Sequence, residues 1–178
     1  MTDGATYLEQ RGLGEIGREF GLRYLSDRNA IEIPYHSALG PTGYSRLRLL
    51  GEGGPKYLSG KGTARHLYNV IDSAKSPVFL CEGEFDALSM KTLGLNAVGV
   101  PGARTFLEEW SWLFEDVDVV IMFDGDEDGR KYGAAIARVI HKRANDVRSL
   151  HKQMPDGKDV NDMLIEGTLE KFLKDQLA

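Results

Sequence analysis

From residue 78 onward, short apolar runs alternate with amphipathic segments. The apolar runs are typical of strands buried on both faces, and the amphipathic segments have the spacing of helices. The predicted strands are Val78–Cys81, Ala97–Val100, Val117–Phe123 and Val147–Leu150. The predicted helices are Phe85–Leu93, Thr105–Phe114, Arg130–Ala144 and Leu169–Leu177. This alternation predicts an α/β fold, with a parallel sheet flanked by helices.

The first part of the chain has a different pattern. Its predicted strands, Ile31–Pro34 and Tyr44–Leu50, are short and mixed, and Gly51–Pro55 is rich in glycine and proline. The periodicity changes near Ser76. We therefore predict a small α+β lobe over residues 1–75 and an α/β domain over residues 76–178.

The composition excludes several classes of protein. The chain has 178 residues, of which 42% are hydrophobic and 28% charged, a balance that suits a globular protein. No apolar run reaches the roughly 18 residues of a membrane span, and the first eleven residues lack the layout of a signal peptide. The single cysteine, Cys81, excludes an internal disulfide and a multi-cysteine zinc site. We expect no membrane association, no zinc, and a cytoplasmic location in a bacterium or in the host of a phage.

The charges are unevenly distributed along the chain. The net charge of −5 gives no general indication of nucleic-acid binding. Five basic residues and one acid lie between residues 43 and 66, however, and seven acids with no lysine or arginine lie between residues 115 and 128. The five basic residues are Arg46, Arg48, Lys56, Lys61 and Arg65. A basic surface and an acidic surface are therefore expected in different parts of the molecule.

Acidic side chains follow two of the predicted parallel strands. Glu82 comes directly after the first strand, and Asp124 and Asp126 follow the third. The carboxyl ends of parallel strands share one sheet edge, where ligands bind. Grouped carboxylates repel one another unless a cation joins them, and oxygen ligands without cysteine or histidine suit Mg²⁺ or Mn²⁺. The sequence predicts a site for one or two such ions.

A later acidic segment, Lys158–Asp162, follows the fourth predicted strand. The same reasoning would bring Asp159 to the carboxylate edge. The alternative is an ordinary turn in which Asn161 or Asp162 caps a helix beginning at Met163. Spacing alone does not decide between the two interpretations. Residues 124–129 also match half of an EF-hand loop, but its twelfth position is Ala135 and a strand precedes it, so no calcium loop is expected.

These motifs resemble the Toprim family, which includes bacterial-type primases, topoisomerases and some nucleases. Glu82-Gly83-Glu84-Phe85-Asp86 and Asp124-Gly125-Asp126 carry the resemblance. Pro55–Leu58 and His66–Tyr68 are similar to the basic lobe in front of the primase Toprim domain, and Tyr7–Leu13 to the start of that catalytic core. Gly157–Asp162 resembles the late acidic motif, especially in phage primase–helicases. The resemblance runs from about Tyr7 to Phe172.

Two features of primases are absent from the sequence. A cysteine-rich zinc module usually precedes the core, and a helicase or helicase-binding domain often follows it. We expect an isolated catalytic core, either a split phage-type protein or a fragment. Asn161 stands where some family members have an aspartate, which leaves that ligand position in doubt.

The resemblance implies a DNA primase that makes RNA primers on single-stranded DNA by two-metal nucleotidyl transfer. It implies Asp124, Asp126 and Asp159 as metal ligands and Glu82 as a ligand or the base. Asp86 would hold an ion or a water, and Asp128 is a further candidate ligand. Template or nucleotide phosphates would be bound by Arg46, Arg48, Lys56 and Lys61. The implied partners are single-stranded DNA, ribonucleoside triphosphates, a replicative helicase and a separate zinc-binding module.

Two other functions are compatible with the same sequence. A Toprim nuclease or phosphohydrolase would use the same carboxylates but transfer the phosphoryl group to water. A non-catalytic DNA-binding accessory protein of replication would retain the fold alone. The basic lobe argues against the first of these, and the complete acidic set argues against the second.

Overall fold

A computed structural model of the chain describes residues 4–51, 53–60, 62 and 64–177. The described part begins with helices α1 (Gly4–Gln10) and α2 (Gly14–Glu19). An antiparallel sheet follows, with strands β1 (Arg23–Leu25), β2 (Ala30–Ser37), β3 (Gly40–Leu49) and β4 (Tyr57–Leu58) in that spatial order. Short 3₁₀ helices occupy Val70–Ala74, Ala103–Thr105 and Glu108–Phe114.

The second sheet is parallel, as predicted. Its strands are β5 (Val78–Cys81), β6 (Ala97–Gly99), β7 (Asp118–Met122) and β8 (Asp146–Ser149), in the order β6-β5-β7-β8. The helices of this part are α3 (Glu84–Thr92), α4 (Glu127–Ile140), α5 (Val160–Ile165) and α6 (Leu169–Leu177). The predicted α/β class, a parallel sheet with flanking helices, is confirmed.

Alternate side chains of the central strands pack into two different apolar cores. In β5, Phe79 and Cys81 face one apolar cluster, while Val78 and Leu80 face the other. The first cluster also contains Ile31 of the antiparallel sheet, so the N-terminal part packs directly on the parallel sheet. This packing fixes β3 relative to the carboxyl ends of β5 and β7. The strands of the first sheet precede residue 75, and those of the second follow residue 76. The division into two domains at this point stays a prediction.

Two predicted helices differ from those observed. The helix predicted at Arg130–Ala144 spans Glu127–Ile140, because the Asp126 side chain caps it earlier than the sequence pattern indicated. The segment predicted as a helix at Thr105–Phe114 is 3₁₀ over Glu108–Phe114. Three residues per turn bring Ser111 and Phe114 to the same buried side.

Several elements were not predicted from the sequence. Helices α1, α2 and α5 and strands β1 and β4 have two to seven residues each, too short for a clear periodicity. None of the helices in the described part of the chain has the length and apolar character that a membrane crossing requires.

Candidate active site at the carboxyl edge of the parallel sheet

An open cavity of about 510 Å³ lies between the carboxyl ends of the parallel strands and the antiparallel sheet. Eight of the ten predicted site residues line it: Arg46, Arg48, Lys56, Glu82, Asp86, Asp124, Asp126 and Asp159. The structure thus brings the basic and the acidic residues into the lining of one cavity. Lys61 lies outside the described residues, and Asp128 is not in the lining.

The pairing of β5 with β7 brings Glu82 and Asp124 together. Cys81, the last residue of β5, is the register partner of Met122, the last residue of β7. Glu82 follows β5 directly, and Asp124 comes two residues after β7. The Glu82 side chain is oriented by the backbone N–H of Ala103, which donates to Glu82 Oε1 at 3.0 Å.

Two of the predicted ligands are also helix caps. Asp126 Oδ1 accepts a hydrogen bond from the backbone N–H of Gly129 at 2.7 Å, at the start of α4. Asp159 Oδ1 accepts from the N–H of Asp162 at 2.6 Å, at the start of α5. The alternative in which Asn161 or Asp162 caps a helix beginning at Met163 is therefore wrong. Each cap uses one carboxylate oxygen and holds the side chain at the cavity.

Asp159 reaches the cavity because its loop docks on Gly125. The Gly125 N–H donates to Lys158 O at 2.8 Å, and the Gly157 N–H donates to Gly125 O at 2.9 Å. A Cβ atom on Gly125 would lie 1.8 Å from Pro155 O, so only glycine allows this approach. The position of the Asp159 carboxylate therefore depends on a backbone contact between two loops.

Crowding and burial make these carboxylic acids weak. Burial raises the pKa of Asp124 to about 8, and the neighbouring charges of Glu82 and Asp159 add to the rise. Burial, followed by the charge of Asp159, raises the pKa of Asp86 well above its usual range. Burial also raises the pKa of Glu82 and of Asp159. Without a cation, the edge holds more negative charge than it can stabilise.

The donor atoms at this edge fit a hard divalent cation. Glu82 Oε2 and Asp124 Oδ1 are buried, and neither has a hydrogen-bond partner within the described structure. Across residues 4–51, 53–60, 62 and 64–177, however, no three histidine, cysteine or acidic side chains are placed to hold a metal ion. Mg²⁺ commonly takes one or two protein carboxylates and completes its shell with water and substrate phosphate. The carboxylates therefore fit Mg²⁺ or Mn²⁺ held jointly with substrate.

Asn161 has a structural role in this site. Its Nδ2 donates to Arg11 O and to Ser89 Oγ, both at 2.9 Å, and its Oδ1 accepts from Arg11 Nη1 at 3.2 Å. Its backbone N–H donates to Asp86 Oδ1 at 3.0 Å. These contacts occupy the Asn161 amide, so it is not a candidate metal ligand.

Asp128 forms a surface ion pair instead of joining the other carboxylates. Its Oδ2 accepts from Nε and Nη2 of Arg104 at 3.0 and 2.6 Å. The pair is largely exposed, and Asp126 is the residue that caps α4. We therefore leave Asp128 out of the proposed ligand set.

The three predicted basic residues that line the cavity differ in their surroundings. Arg48 lies over the Tyr57 ring at 4.8 Å and the Phe85 ring at 5.6 Å, and it donates to the Tyr7 hydroxyl at 3.2 Å. Lys56 is exposed. Arg46 is instead paired with buried Glu84, at 2.5 Å between Nη1 and Oε1.

The cavity also contains residues that the sequence analysis missed. Arg11, Tyr57 and Glu84 all line it. Each belongs to a motif that carried the resemblance, which was the only available signal. No spacing rule connects Arg11 with residues some 150 positions later.

Comparison with known proteins places this geometry in a family. A family model described as Toprim-like matches residues 79–164. The gene 57 protein of Mycobacterium phage D29 is 33% identical over 122 residues, which cover 67% of this chain and 76% of the phage protein. The chain belongs to the Toprim-like family.

Other relatives of this Toprim-like chain are primases. The DNA primase of Pseudomonas putida is 29% identical over 184 residues, which cover 93% of this chain. The match spans only 28% of that primase's length. A DNA primase domain from Pseudomonas aeruginosa has the same fold, with a TM-score of 0.77 at 24% identity, over 97% of this chain and 71% of that one.

The Asp124→Asn/Asp126→Asn double variant should lose Mn²⁺ binding in a calorimetric titration. It should also be more stable than the wild type without metal. Asp124 keeps its proton up to about pH 8 when folded but loses it near pH 4 when unfolded. The stability of the wild type should therefore fall as pH rises from 4 to 8, and the variant should escape that loss.

The stability difference is measured by thermal unfolding with a chelator. At pH 8 the variant should gain about 2 kcal/mol, or about 4–8 °C, and much less at pH 5. Asparagine at position 126 still caps α4. The control is Asp27→Asn, because Asp27 has a 76% exposed side chain. Unchanged Mn²⁺ binding in the double variant would put the metal site elsewhere.

Gly125→Ala should displace the loop that carries Asp159. The added methyl group would collide with Pro155 O, so we expect a loss of about 1–3 kcal/mol in thermal unfolding and weaker Mn²⁺ binding. Gly51→Ala is the matched control, because a Cβ there meets nothing within 4 Å. Equal melting temperatures for the two variants would contradict the docking of this loop.

Proposed function

We propose that the chain is the catalytic core of a DNA primase, a nucleotidyltransferase that makes short RNA primers on single-stranded DNA. The observation that carries the proposal is the single cavity that is lined both by the grouped carboxylates and by Arg48 and Lys56. A growing primer, a template and a triphosphate all bring phosphates to this acidic edge, and basic residues offset the repulsion. The names of the Pseudomonas relatives support the proposal.

The reaction joins the primer 3′-oxygen to the α-phosphorus of a ribonucleoside triphosphate and releases pyrophosphate. Arg48 and Lys56 bind phosphate groups and orient the triphosphate or the template. The aromatic contacts of Arg48 limit its motion, so its charge is already directed into the cavity. Asp124, Asp126 and Asp159 would hold two Mg²⁺ or Mn²⁺ ions, which stabilise the charge on attacking and leaving oxygens when bound.

Glu82 is placed to act on the attacking hydroxyl or to complete the metal shell. Its Oε1 is held by Ala103, and its buried Oε2 is left without a hydrogen-bond partner among the described residues. Because burial raises its pKa, Glu82 can accept a proton more readily than an exposed glutamate. Both roles are compatible with this geometry.

The proposed partners follow from the reaction. Single-stranded DNA is the template, and ribonucleoside triphosphates are the substrates. A separate zinc-binding module would select the start site, because the one cysteine of this chain is fully buried in β5. A replicative helicase would supply the single-stranded template.

Glu82→Gln should lower primer synthesis by at least about 100-fold while the melting temperature stays within a few degrees of the wild type. Glutamine preserves the size and the acceptor for Ala103 but removes the charge and the proton acceptor. The assay follows labelled ribonucleotides incorporated on single-stranded DNA with Mn²⁺, and Glu108→Gln on the exposed surface is the control. Near-normal primer yield would remove Glu82 from the mechanism. Metal-dependent DNA cleavage without primers would instead indicate a nuclease.

Lys56→Ala and Arg48→Ala should each weaken binding to single-stranded DNA irrespective of its sequence. Each lost phosphate contact releases one counterion fewer, so the slope of log affinity against log salt should flatten by about 0.7 per variant. Binding titrations at several salt concentrations measure this slope, with Arg23→Ala on the outer strand as control. If both variants keep the wild-type affinity and slope, these residues are ordinary surface charges.

A further inference from the structure

A buried ion pair connects the antiparallel sheet to the helix that follows β5. Glu84, the first residue of α3, is 1% exposed. Its Oε1 accepts hydrogen bonds from the Tyr35 hydroxyl and from Arg46 Nη1, both at 2.5 Å. Tyr35 belongs to β2 and Arg46 to β3, so one carboxylate oxygen binds two strands to one helix.

Arg46 differs from Arg48 and Lys56 because a buried carboxylate holds it. Its side chain is only 12% exposed, and the guanidinium lies over the Tyr57 ring at 4.6 Å. The charge of Arg46 is neutralised by Glu84 rather than left for a phosphate. This arrangement points to a role for Arg46 distinct from those of Arg48 and Lys56.

The Glu84–Arg46 pair lies next to both the acidic and the basic residues that line the cavity. Glu84 stands between Glu82 and Asp86 in sequence, and Arg46 stands two residues before Arg48 on β3. Alternate residues of a strand point to the same face, so Arg46 and Arg48 share one side of the sheet. Movement at the Glu84–Arg46 contact would therefore change the placement of Arg48 relative to Asp86.

The pair is better suited to fixing geometry than to adding stability. Glu84 Oε2 and Arg46 Nε are buried without hydrogen-bond partners within the described structure. Incompletely satisfied buried ion pairs add little net stability over apolar packing of the same volume. Charged hydrogen bonds of 2.5 Å, in contrast, define the direction and the distance between the groups they join.

We infer that Glu84 is a positioning residue, which through Arg46 and Tyr35 holds the basic strand β3 in register with the carboxylate edge. The inference rests on the proposed primase function for its kinetic consequence. The effect of the Glu84 contacts on β3 is a property of the fold, and it can be measured without any reaction.

The experiment compares Glu84→Gln, Arg46→Gln and the double variant in the full chain. The control is Arg23→Gln, which breaks an ion pair of 2.6 Å within the same sheet and leaves the hydrogen bond from Ser45 to Glu32 in place. Hydrogen exchange reads residues 44–49 and 84–92 against the central strands 78–81 and 118–122. Primer assays give KM for the nucleotide and kcat, and calorimetry gives the affinity for Mn²⁺.

Each single variant should exchange about 10-fold faster at residues 44–49, with the central strands unchanged, because it leaves one buried charge unpaired. KM for the nucleotide should rise about 10-fold, and Mn²⁺ affinity should stay constant because the proposed ligands Asp124, Asp126 and Asp159 are unchanged. The double variant should recover part of both losses, since its two amides can bond to each other. The Arg23→Gln control should change neither quantity.

Two results would overturn the inference. Uniform acceleration of exchange in all strands, with kcat reduced and KM unchanged, would mean that the pair only stabilises the fold. Unchanged exchange at residues 44–49 would mean that the pair does not hold β3. If the wild type makes no primers, the proposed function fails, and the exchange pattern alone still decides whether Glu84 holds the two parts together.

Discussion

Repulsion among carboxylates at one sheet edge is the constraint on which the rest of this structure depends. The β5–β7 register places Glu82 beside Asp124, and Asp159 joins them from a separate loop. Burial, followed by the charges of Glu82 and Asp159, raises the pKa of Asp124 to about 8, so its ionised form is poorly stabilised without a counter-charge. A fold that assembles such a group has to stabilise it from outside the group itself.

The structure provides that stabilisation through backbone contacts. Asp126 and Asp159 each accept a backbone N–H at the first turn of a helix, which favours the ionised form. Asp86 accepts the N–H of Asn161 in the same way. Arg48 and Lys56 line the same cavity and supply positive charge to it. The acidic residues are therefore held in place while their remaining oxygens stay open to a ligand.

The sequence was informative wherever a rule of short range applied. Strands buried on both faces produce continuous apolar runs, so β5 was predicted to the residue, and the acids at its end and at the end of β7 followed from the parallel order. The cavity-facing positions of Arg48 and Lys56 also agree with the charge pattern. Asp128 belonged to the same acidic run, but Arg104, 24 residues away, pairs with it at the surface.

Contacts between residues far apart in the sequence could not be predicted from it. Glu84 and Arg46 are 38 positions apart, and Asn161 meets Arg11 across 150. Neither pair has a periodicity that would reveal it. The capping of α5 by Asp159 was equally hidden, because several neighbouring residues can cap a helix and only the docked loop selects one.

The contact between Gly125 and the loop at residues 155–158 holds Asp159 by a different means from the other carboxylates. Glu82 and Asp124 follow strands of the same sheet, whereas the loop of Asp159 is joined to that edge by two backbone hydrogen bonds. Such a local contact opens at a lower free energy than the whole fold. The affinity of a ligand that binds Asp159 would therefore include the free energy of keeping these two hydrogen bonds formed.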